Sequence, residues 1–406
     1  MNDIMRPAAE WELQGIITNC TDRRLPIEVM GAGTKRGIGR PLQPGVVVST
    51  TSLRGIPLYE PGELVMSARA GTSLTQIESE LAARNQMLAF EPIDLGPVTG
   101  GGAGAQTIGG VFAANLSGSR RIMAGAARDH LLGIRGVNGR AEIFKSGGRV
   151  MKNVTGYDLA RGLSGSWGTL AVLTEVTFKV LPMPETSVTL VWQGLPEDIA
   201  VELLTAAAGT PFEVSAASHL SEALAGRLQL SSLRVLGKSL TLLRIENFAS
   251  AVAHRTEALR TALKIYGPAL VVENHDSVQL WSELRRLSVF PYGPSCLWRL
   301  SATPTKAPEL VASIRRHMSA EVFYDWAGGL VWLEIAAPAD AGATDIRRAD
   351  AIHGGHATRI RAEPAVRAAI DVFQPQSPAV ERITRGLKHA FDPHGLLNPG
   401  RMYANL

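Results

Sequence analysis

Three glycine-rich stretches carry the residues best suited to hold an anionic ligand: MGAGTKRGIG at 30–39, VTGGGAGAQTIGGVFAANLSGS at 98–119 and GSWGTL at 165–170. Glycine loses more backbone entropy on folding than any other residue, so a cluster marks a slack linker, a tight turn or a place where something lies against the backbone. The 98–119 stretch is not polar throughout, because Ile108, Val111 and Phe112 interrupt it. Composition alone leaves turn and ligand cradle both open. The first loop fails the dinucleotide-binding fingerprint, since Arg36 stands where the third glycine belongs and Pro41 and Pro44 oppose a following helix. It also fails the phosphate-loop pattern, since Lys35 precedes Gly37 and no Gly-Lys-Ser/Thr follows. What remains is a glycine loop between strands, whose successive N–H groups form an anion-binding nest without a helix.

The surrounding pattern supplies elements to position these loops. A strand over 26–30 enters the first loop and another over 46–48 leaves it. A strand over 63–70 leads to Ser73 and Gln76, which have capping-box spacing, and Leu74, Ile77 and Leu81 then share one helical face. Segments 133–137 and 141–144 form a hairpin turned by Asn138-Gly139. A strand-rich run over 171–181 ends at Pro182 and Pro184, where the texture changes. Strands over 240–246 and 330–335 then alternate with amphipathic helices over 251–263 and 308–318. A last helix over 379–390 runs into FDPHGLLNPG.

At 406 residues the chain can bury two or three cores. Its net charge of +4 is dispersed in pairs such as Arg120-Arg121 and Arg285-Arg286, so no basic stripe marks it for nucleic acid. Two cysteines, Cys20 and Cys296, exclude a disulfide framework and a cysteine-ligated iron–sulfur cluster within this sequence. The N-terminal stretch has no continuous apolar signal region and no apolar run reaches membrane-span length, so a soluble cytoplasmic protein with no direct membrane insertion is expected.

Taken in order, MGAGTKRG, RAGTSLTQIESELA, TIGGVFAANLSG, KNVTGYDL and GSWGTLAVLTEVTFKVLPMP, resumed at FDPHGLLNPGRM, resemble the FAD-binding domain of the vanillyl-alcohol oxidase / p-cresol methylhydroxylase family. The resemblance implies an α+β fold: a two-part FAD-binding domain over 1–185, a smaller α+β cap or substrate domain over 186–375, and a segment over 376–406 that packs back on the FAD domain. It also implies that Gly31, Ala32, Gly33, Thr34, Lys35 and Gly37 cradle the FAD diphosphate. Thr99, Gly101, Gly102, Thr107, Gly109, Gly110, Ala113 and Asn115 would line the flavin, Gly168, Thr169 and Val172 the adenine side, with Asn398 joining from the C-terminal segment. Thr34 stands where members with covalent flavin carry histidine, so non-covalent FAD is implied. The metal-assisted members' GDGN-type motif is absent, and His353 and His356 sit among glycines, so no metal is expected.

The short chain, the aromatic in GSWGTL, RIENFASAV, Trp298-Arg299-Leu300-Ser301 and HGGHAT at 353–358 look like the small FAD-binding subunits of bacterial glycolate oxidases within that family. This implies oxidation of a 2-hydroxy acid, glycolate to glyoxylate, beside a larger FAD-binding paralogous subunit and an iron–sulfur subunit. It places the chain in the cytoplasm, or peripheral to the inner membrane through its complex. Hydride transfer to a flavin needs an arginine fork for the substrate carboxylate and a base for the hydroxyl proton. Arg299 and His356 are the candidates. The alternatives are a non-catalytic FAD-holding electron-relay or assembly subunit, and a stand-alone D-lactate-type dehydrogenase.

Overall fold

The computed structural model describes residues 4–150 and 156–406; Lys152, Asn153, Val154 and Thr155 of KNVTGYDL lie outside the described residues. The chain divides into two compact units, one of 1–117, 126–183 and 371–406, the other of 118–125 and 184–370.

The first unit is built on two sheets. A parallel three-stranded sheet runs in the order Ile4–Met5, Val46–Ser49, Ile27–Met30. An antiparallel five-stranded sheet runs Leu58–Glu60, Val65–Arg69, Ala171–Lys179, Leu131–Asn138, Ile143–Gly147. Helix Glu10–Asp22 buries Leu13, Ile17 and Cys20 against Val48, Val137 and Val172. Helix Leu74–Ala82 begins as its spacing predicts, with Ser73 Oγ accepting from the Gln76 N–H at 3.2 Å and Leu74, Ile77 and Leu81 buried.

The expected hairpin at Asn138-Gly139 is present, with a longer connection than the segments 133–137 and 141–144 imply. Four residues, Gly139 to Glu142, connect the strands, and Ala141 takes the positive φ of 61°. Asn138 Oδ1 accepts from the N–H groups of Arg140 and Glu142, closing the loop through a side chain. Gly139 is needed for another reason. A Cβ there would lie 2.6 Å from Asp392 Cγ, and its N–H donates to the Phe391 carbonyl at 2.9 Å. The glycine lets the hairpin tip dock on the end of the last helix, Pro378–Phe391.

That helix delivers the segment 392–400 to the parallel sheet. Ile27 N–H donates to the Leu396 carbonyl and Asn398 N–H to the Ile27 carbonyl, extending the edge of strand Ile27–Met30. Lys388 Nζ is buried and donates to Asp392 Oδ2 at 2.7 Å and to the carbonyls of Thr169 and Leu397. Asp392 in turn accepts from the N–H groups of Leu396 and Leu397.

The second unit is an antiparallel eight-stranded sheet in the order Leu270–Glu273, Thr186–Gln193, Leu240–Asn247, Val214–Leu220, Ala320–Asp325, Leu330–Ile335, Cys296–Ala302, Gly355–Arg361. Helices Glu197–Ala208, Ala249–Ala262, Ala307–Arg315 and Ala343–His353 bury one face with two leucine- and valine-rich cores. The opposite face carries a polar patch of Arg244, Glu246, Asp325, Arg299 and Ser301 beside buried Leu220, Leu240, Leu242, Leu297 and Phe323. Helix Asn274–Arg285 packs on it through Ser277 and Trp281, both bonded to Thr189. The sequence reading keeps 118–125 inside the first domain, whereas the segment lies on this polar patch. Arg120 forms a two-pronged pair with Glu246, Ser119 Oγ donates to Asp325 Oδ2 at 2.8 Å, and Trp326 Nε1 donates to the Gly118 carbonyl. Ionic and hydrogen-bonding partners, invisible to hydrophobic periodicity, decide this placement.

Replacing Lys388 with methionine leaves the buried Asp392 carboxylate without its cation. The expected loss is about 3 kcal/mol of stability, read as a lower urea midpoint; an unchanged midpoint contradicts the role given to this pair.

Candidate cofactor cleft and a cationic cluster

The first loop follows strand Ile27–Met30 because Gly33, at φ 81°, turns the chain back, and Arg36 N–H and Ile38 N–H close successive turns on Gly33 O and Lys35 O. Among the described residues, the N–H groups of Ala32, Gly33, Thr34 and Lys35 have no acceptor. Four successive donors around one concavity form an anion nest. Arg36 pairs with Glu28 through two bonds of 2.6 Å, fixing the outer side of the loop.

Helix Ile108–Ala114 points its N-terminus at the same place. Thr107 caps it, accepting from the Gly110 N–H, and Asn115 ends it in the left-handed region at φ 51°. Close packing explains two glycines: a Cβ on Gly31 would collide with Thr107 Oγ1, and one on Gly109 would lie 2.6 Å from Ala70 Cβ. The third segment enters with Trp167 at φ 54° and Gly168 at φ 71°. Asn398 joins the first and third segments: its Oδ1 accepts from the Val29 N–H at 2.8 Å, and its Nδ2 donates to the carbonyls of Val29 and Trp167. A Cβ on Gly168 would lie 2.9 Å from that Nδ2.

These segments line an open cleft floored largely by glycine and alanine backbone. Of the residues expected at the site, Gly31, Ala32, Gly33, Thr34, Lys35, Thr107, Gly109, Gly110, Ala113 and Gly168 line it. Gly37, Thr99, Gly101, Asn115, Thr169 and Asn398 stand behind the wall. Thr99 Oγ1 donates to the Thr34 carbonyl at 2.8 Å, and Gly37 and Gly101 allow close approach to Thr99 and Thr34. Asn115 Oδ1 accepts from the Arg128 N–H, and Thr169 Oγ1 donates to the Ser166 carbonyl.

Two expected residues lie elsewhere. A Cβ on Gly102 would meet only Ala105, at 3.7 Å, and the residue is outside the lining. Val172 is fully buried with Leu13 and Ile17; strand alternation turns its neighbours Ala171 and Leu173 to the cleft instead. Gly33 also has a different reason from close ligand approach. A Cβ there meets Arg36 and Met30 at ordinary contact distance, so its positive φ is what demands glycine.

Sequence reasoning missed Thr50, Ala70, Trp167 and Arg401 in the lining. Trp167 packs edge-on against Phe373, ring centroids 5.4 Å apart, and the Arg401 guanidinium lies 6.0 Å from its ring centre. Arg401 Nη2 donates to the Lys35 carbonyl at 2.7 Å, bringing a second cation to the nest. Its place directly after Asn398-Pro399-Gly400 was the available signal. Lys35 Nζ donates to Gln106 Oε1 at 3.0 Å. Burial pushes its ammonium down to about 8, against the pull of Asp94 and with the repulsion of Arg401. The cleft thus presents free N–H donors and poorly solvated cations, which suit the diphosphate of FAD.

Arg299 and His356 belong to the second unit. Arg299 pairs across its strand with Thr358 and Ser301 with His356, so the two are diagonal neighbours on the polar patch. The Arg121 and Arg299 guanidinium carbons lie 4.3 and 5.1 Å from the Trp326 ring centre. Trp326 is held at φ 54° by Asp325, whose Oδ1 accepts its N–H. Burial, with Arg121 adding to it, brings Arg299 down to about 10 despite Asp325. Partial burial, Arg299 and Arg121 hold the His356 imidazole below its usual range, and hence neutral near pH 7. Trp332 stands directly opposite Arg299 on the neighbouring strand, and its buried Nε1 has no partner among the described residues. Arg121 was missed because nothing in its local pattern points to the second unit.

The two-sheet unit with its glycine-lined cleft defines an FAD-binding protein of the vanillyl-alcohol oxidase / p-cresol methylhydroxylase type. A model of an FAD-binding domain matches residues 3–147. Substrate-bound p-cresol methylhydroxylase has the same fold, with a TM-score of 0.73 over 98% of this chain and 88% of that one, at 14% identity. The chain is 34% identical to glycolate oxidase subunit GlcE of Escherichia coli (strain K12), over 94% of both chains. It is 24% identical to glycolate oxidase subunit GlcD of Bacillus subtilis (strain 168), over 99% of this chain and 88% of that one. The chain belongs to the same family of FAD-binding oxidoreductases as the Escherichia coli subunit, and FAD is its cofactor.

Two measurements check the cleft. An anion favours protonated Lys35, so FAD affinity is full below about pH 8 and falls as the pH rises above it. Titrations of FAD fluorescence between pH 7 and 9 should show this slope, and Lys35→Met should flatten it. Gly33→Val forces a β-branched residue to positive φ, and FAD retention should fall about tenfold, for roughly 1–2 kcal/mol of strain; undiminished occupancy contradicts the assignment.

Proposed function

We propose that this chain is the small FAD-binding subunit of a multi-subunit 2-hydroxy-acid oxidase that converts glycolate to glyoxylate. The observation that carries the reading is the 34% identity to the Escherichia coli glycolate oxidase subunit along nearly the whole of both chains. Its relation to a second glycolate oxidase subunit, over almost its full length, supports a larger FAD-binding paralogue as partner. The two cysteines, both buried, are too few to ligate a cluster, which supports placing the iron–sulfur centre in another subunit.

When bound, FAD accepts the two electrons released as the hydroxyl-bearing carbon becomes a carbonyl. The chain's residues have separate tasks. The first loop, Lys35 and Arg401 hold the diphosphate. Arg299, with Arg121 beside it, takes the substrate carboxylate, since a guanidinium fork matches two carboxylate oxygens. His356, held neutral, accepts the hydroxyl proton. Burial and Arg121 both disfavour the charge on Arg299, and a carboxylate ligand offsets both.

The test is dye-linked glycolate oxidation by the complex co-expressed with the larger flavoprotein and the iron–sulfur subunit, and by the isolated chain. The complex should turn over glycolate and the isolated chain should not. Arg299→Met should raise KM for glycolate at least about tenfold, the loss of a charge-assisted pair. Full turnover by the isolated chain makes it a stand-alone dehydrogenase. An unchanged KM in the Arg299 variant makes it an FAD-holding relay subunit.

A further inference from the structure

Five tryptophans are buried, and four of them have a hydrogen-bonded indole N–H. Trp192 donates to the Gly267 carbonyl, Trp281 to Thr189 Oγ1, Trp298 to the Ala341 carbonyl and Trp326 to the Gly118 carbonyl. Trp332 is the exception: it is 0% exposed, and its Nε1 has no acceptor among the described residues. Indole nitrogen only donates, so in the interior it is costly until an acceptor reaches it.

The strand register shows where that acceptor has to come from. One row across the sheet runs Leu220, Phe323, Trp332, Arg299, Thr358. Leu220 and Phe323 are buried and apolar, so that side offers the indole nothing. The carboxylates two residues off the row are engaged elsewhere. Asp325 accepts from Ser119, Ser218 and the Trp326 N–H, Glu334 from Arg227, Ser295 and Arg361, and Glu321 from Ser221. Arg299 stands directly opposite Trp332, a relation that sets two Cβ atoms about 5 Å apart. Among the described residues its guanidinium has no hydrogen-bond acceptor either, and lies 5.1 Å from the Trp326 ring centre. Two donors face each other, one of them cationic, and neither is satisfied.

We propose that Trp332 is a substrate-binding residue, its Nε1 donating to a carboxylate oxygen of the 2-hydroxy acid that Arg299 holds. The inference rests on the reading that Arg299 takes the substrate carboxylate. Two groups that only donate call for a ligand group made only of acceptors. A carboxylate has about four lone-pair sites; the arginine fork fills two of them and leaves another for the indole. A neutral hydroxyl in the same place would leave the poorly solvated Arg299 charge uncompensated.

The experiment uses the full chain co-expressed with the larger flavoprotein and the iron–sulfur subunit. Trp332→Phe removes the N–H and keeps an aromatic ring. It should raise KM for glycolate about tenfold, the loss of one bond to a charged group, with kcat and FAD content unchanged. Acetate, a carboxylate without the hydroxyl, serves as competitive inhibitor, and its inhibition constant should rise by the same factor. A second readout leaves the site unaltered: this chain is labelled with 5-fluorotryptophan and reassembled with the two subunits. The Trp332 fluorine signal, assigned by its loss in Trp332→Phe or, should that variant not fold, Trp332→Tyr, should shift with acetate and not with chloride at equal ionic strength. Unchanged glycolate and acetate constants in Trp332→Phe, with Arg299→Met impaired, overturn the role of Trp332 and leave the Arg299 reading standing. Unchanged constants in both variants overturn both. A rise for glycolate without one for acetate puts the indole on the hydroxyl and overturns the proposal, as does a signal that acetate does not move. Should the complex not oxidise glycolate, the reading of its function falls, and the acetate shift alone decides whether Trp332 meets a carboxylate.

Discussion

One carboxamide holds the cofactor cleft together. Asn398 reads the Val29 backbone through both of its polar atoms and the Trp167 carbonyl through a third bond, joining segments 369 and 231 residues away. These bonds set the distance between the first and third glycine segments. They also explain Gly168, which must leave room for the amide. Asn398 is itself placed by the buried Lys388–Asp392 pair, because Asp392 accepts the N–H groups that turn the chain at Leu396 and Leu397. The unit that binds FAD is therefore completed by its last residues, and the same segment admits Arg401 to the lining.

Both units carry cations poorly solvated and close to other cations. Lys35 feels Arg401 in the cleft, and Arg299 feels Arg121 on the polar patch. Burial and the neighbouring cation both disfavour each charge, against the pull of Asp94 on Lys35 and of Asp325 on Arg299. An anionic ligand offsets that cost. Preorganisation of this kind suits binding, since the donors are oriented before the ligand appears. Trp167 and Trp326 are held in the left-handed region beside these cations. Backbone strain of that kind persists where surrounding bonds over-determine it, as Asn398 and Asp325 do here.

The eight-stranded sheet carries a polar patch on a face otherwise built of buried leucines and covered in part by helix Asn274–Arg285. Four helices cover the other face, and strand alternation sends Trp298 and Leu300 to that core and Arg299 and Ser301 away from it. The excursion 118–125 brings Arg121 to this polar patch, tied down by Arg120–Glu246 and Ser119–Asp325.

Much of this is legible in the amino-acid order. Period-two and period-3.6 patterns locate the strands and helices, and Ser73 and Gln76 announce a helix start that the structure keeps. Of the first-loop glycines, Gly33 and Gly39 are legible as positions of positive φ, whereas Gly31 and Gly37 answer to close packing on Thr107 and Thr99. Side-chain direction and distant partners are not legible. Val172 reads as a ligand residue in the sequence and is core, because the strand register that turns Ala171 and Leu173 to the cleft is set by pairing. Gly139 reads as a turn residue, yet it answers to Asp392, some 250 positions away. Arg401, Trp167 and Arg121 reach their places through hydrogen bonds and ring contacts with residues far along the chain. Local sequence determines which backbone conformations are open to each segment. Only tertiary structure decides which charged and aromatic side chains meet, because those meetings depend on closing loops whose partners carry no local signal.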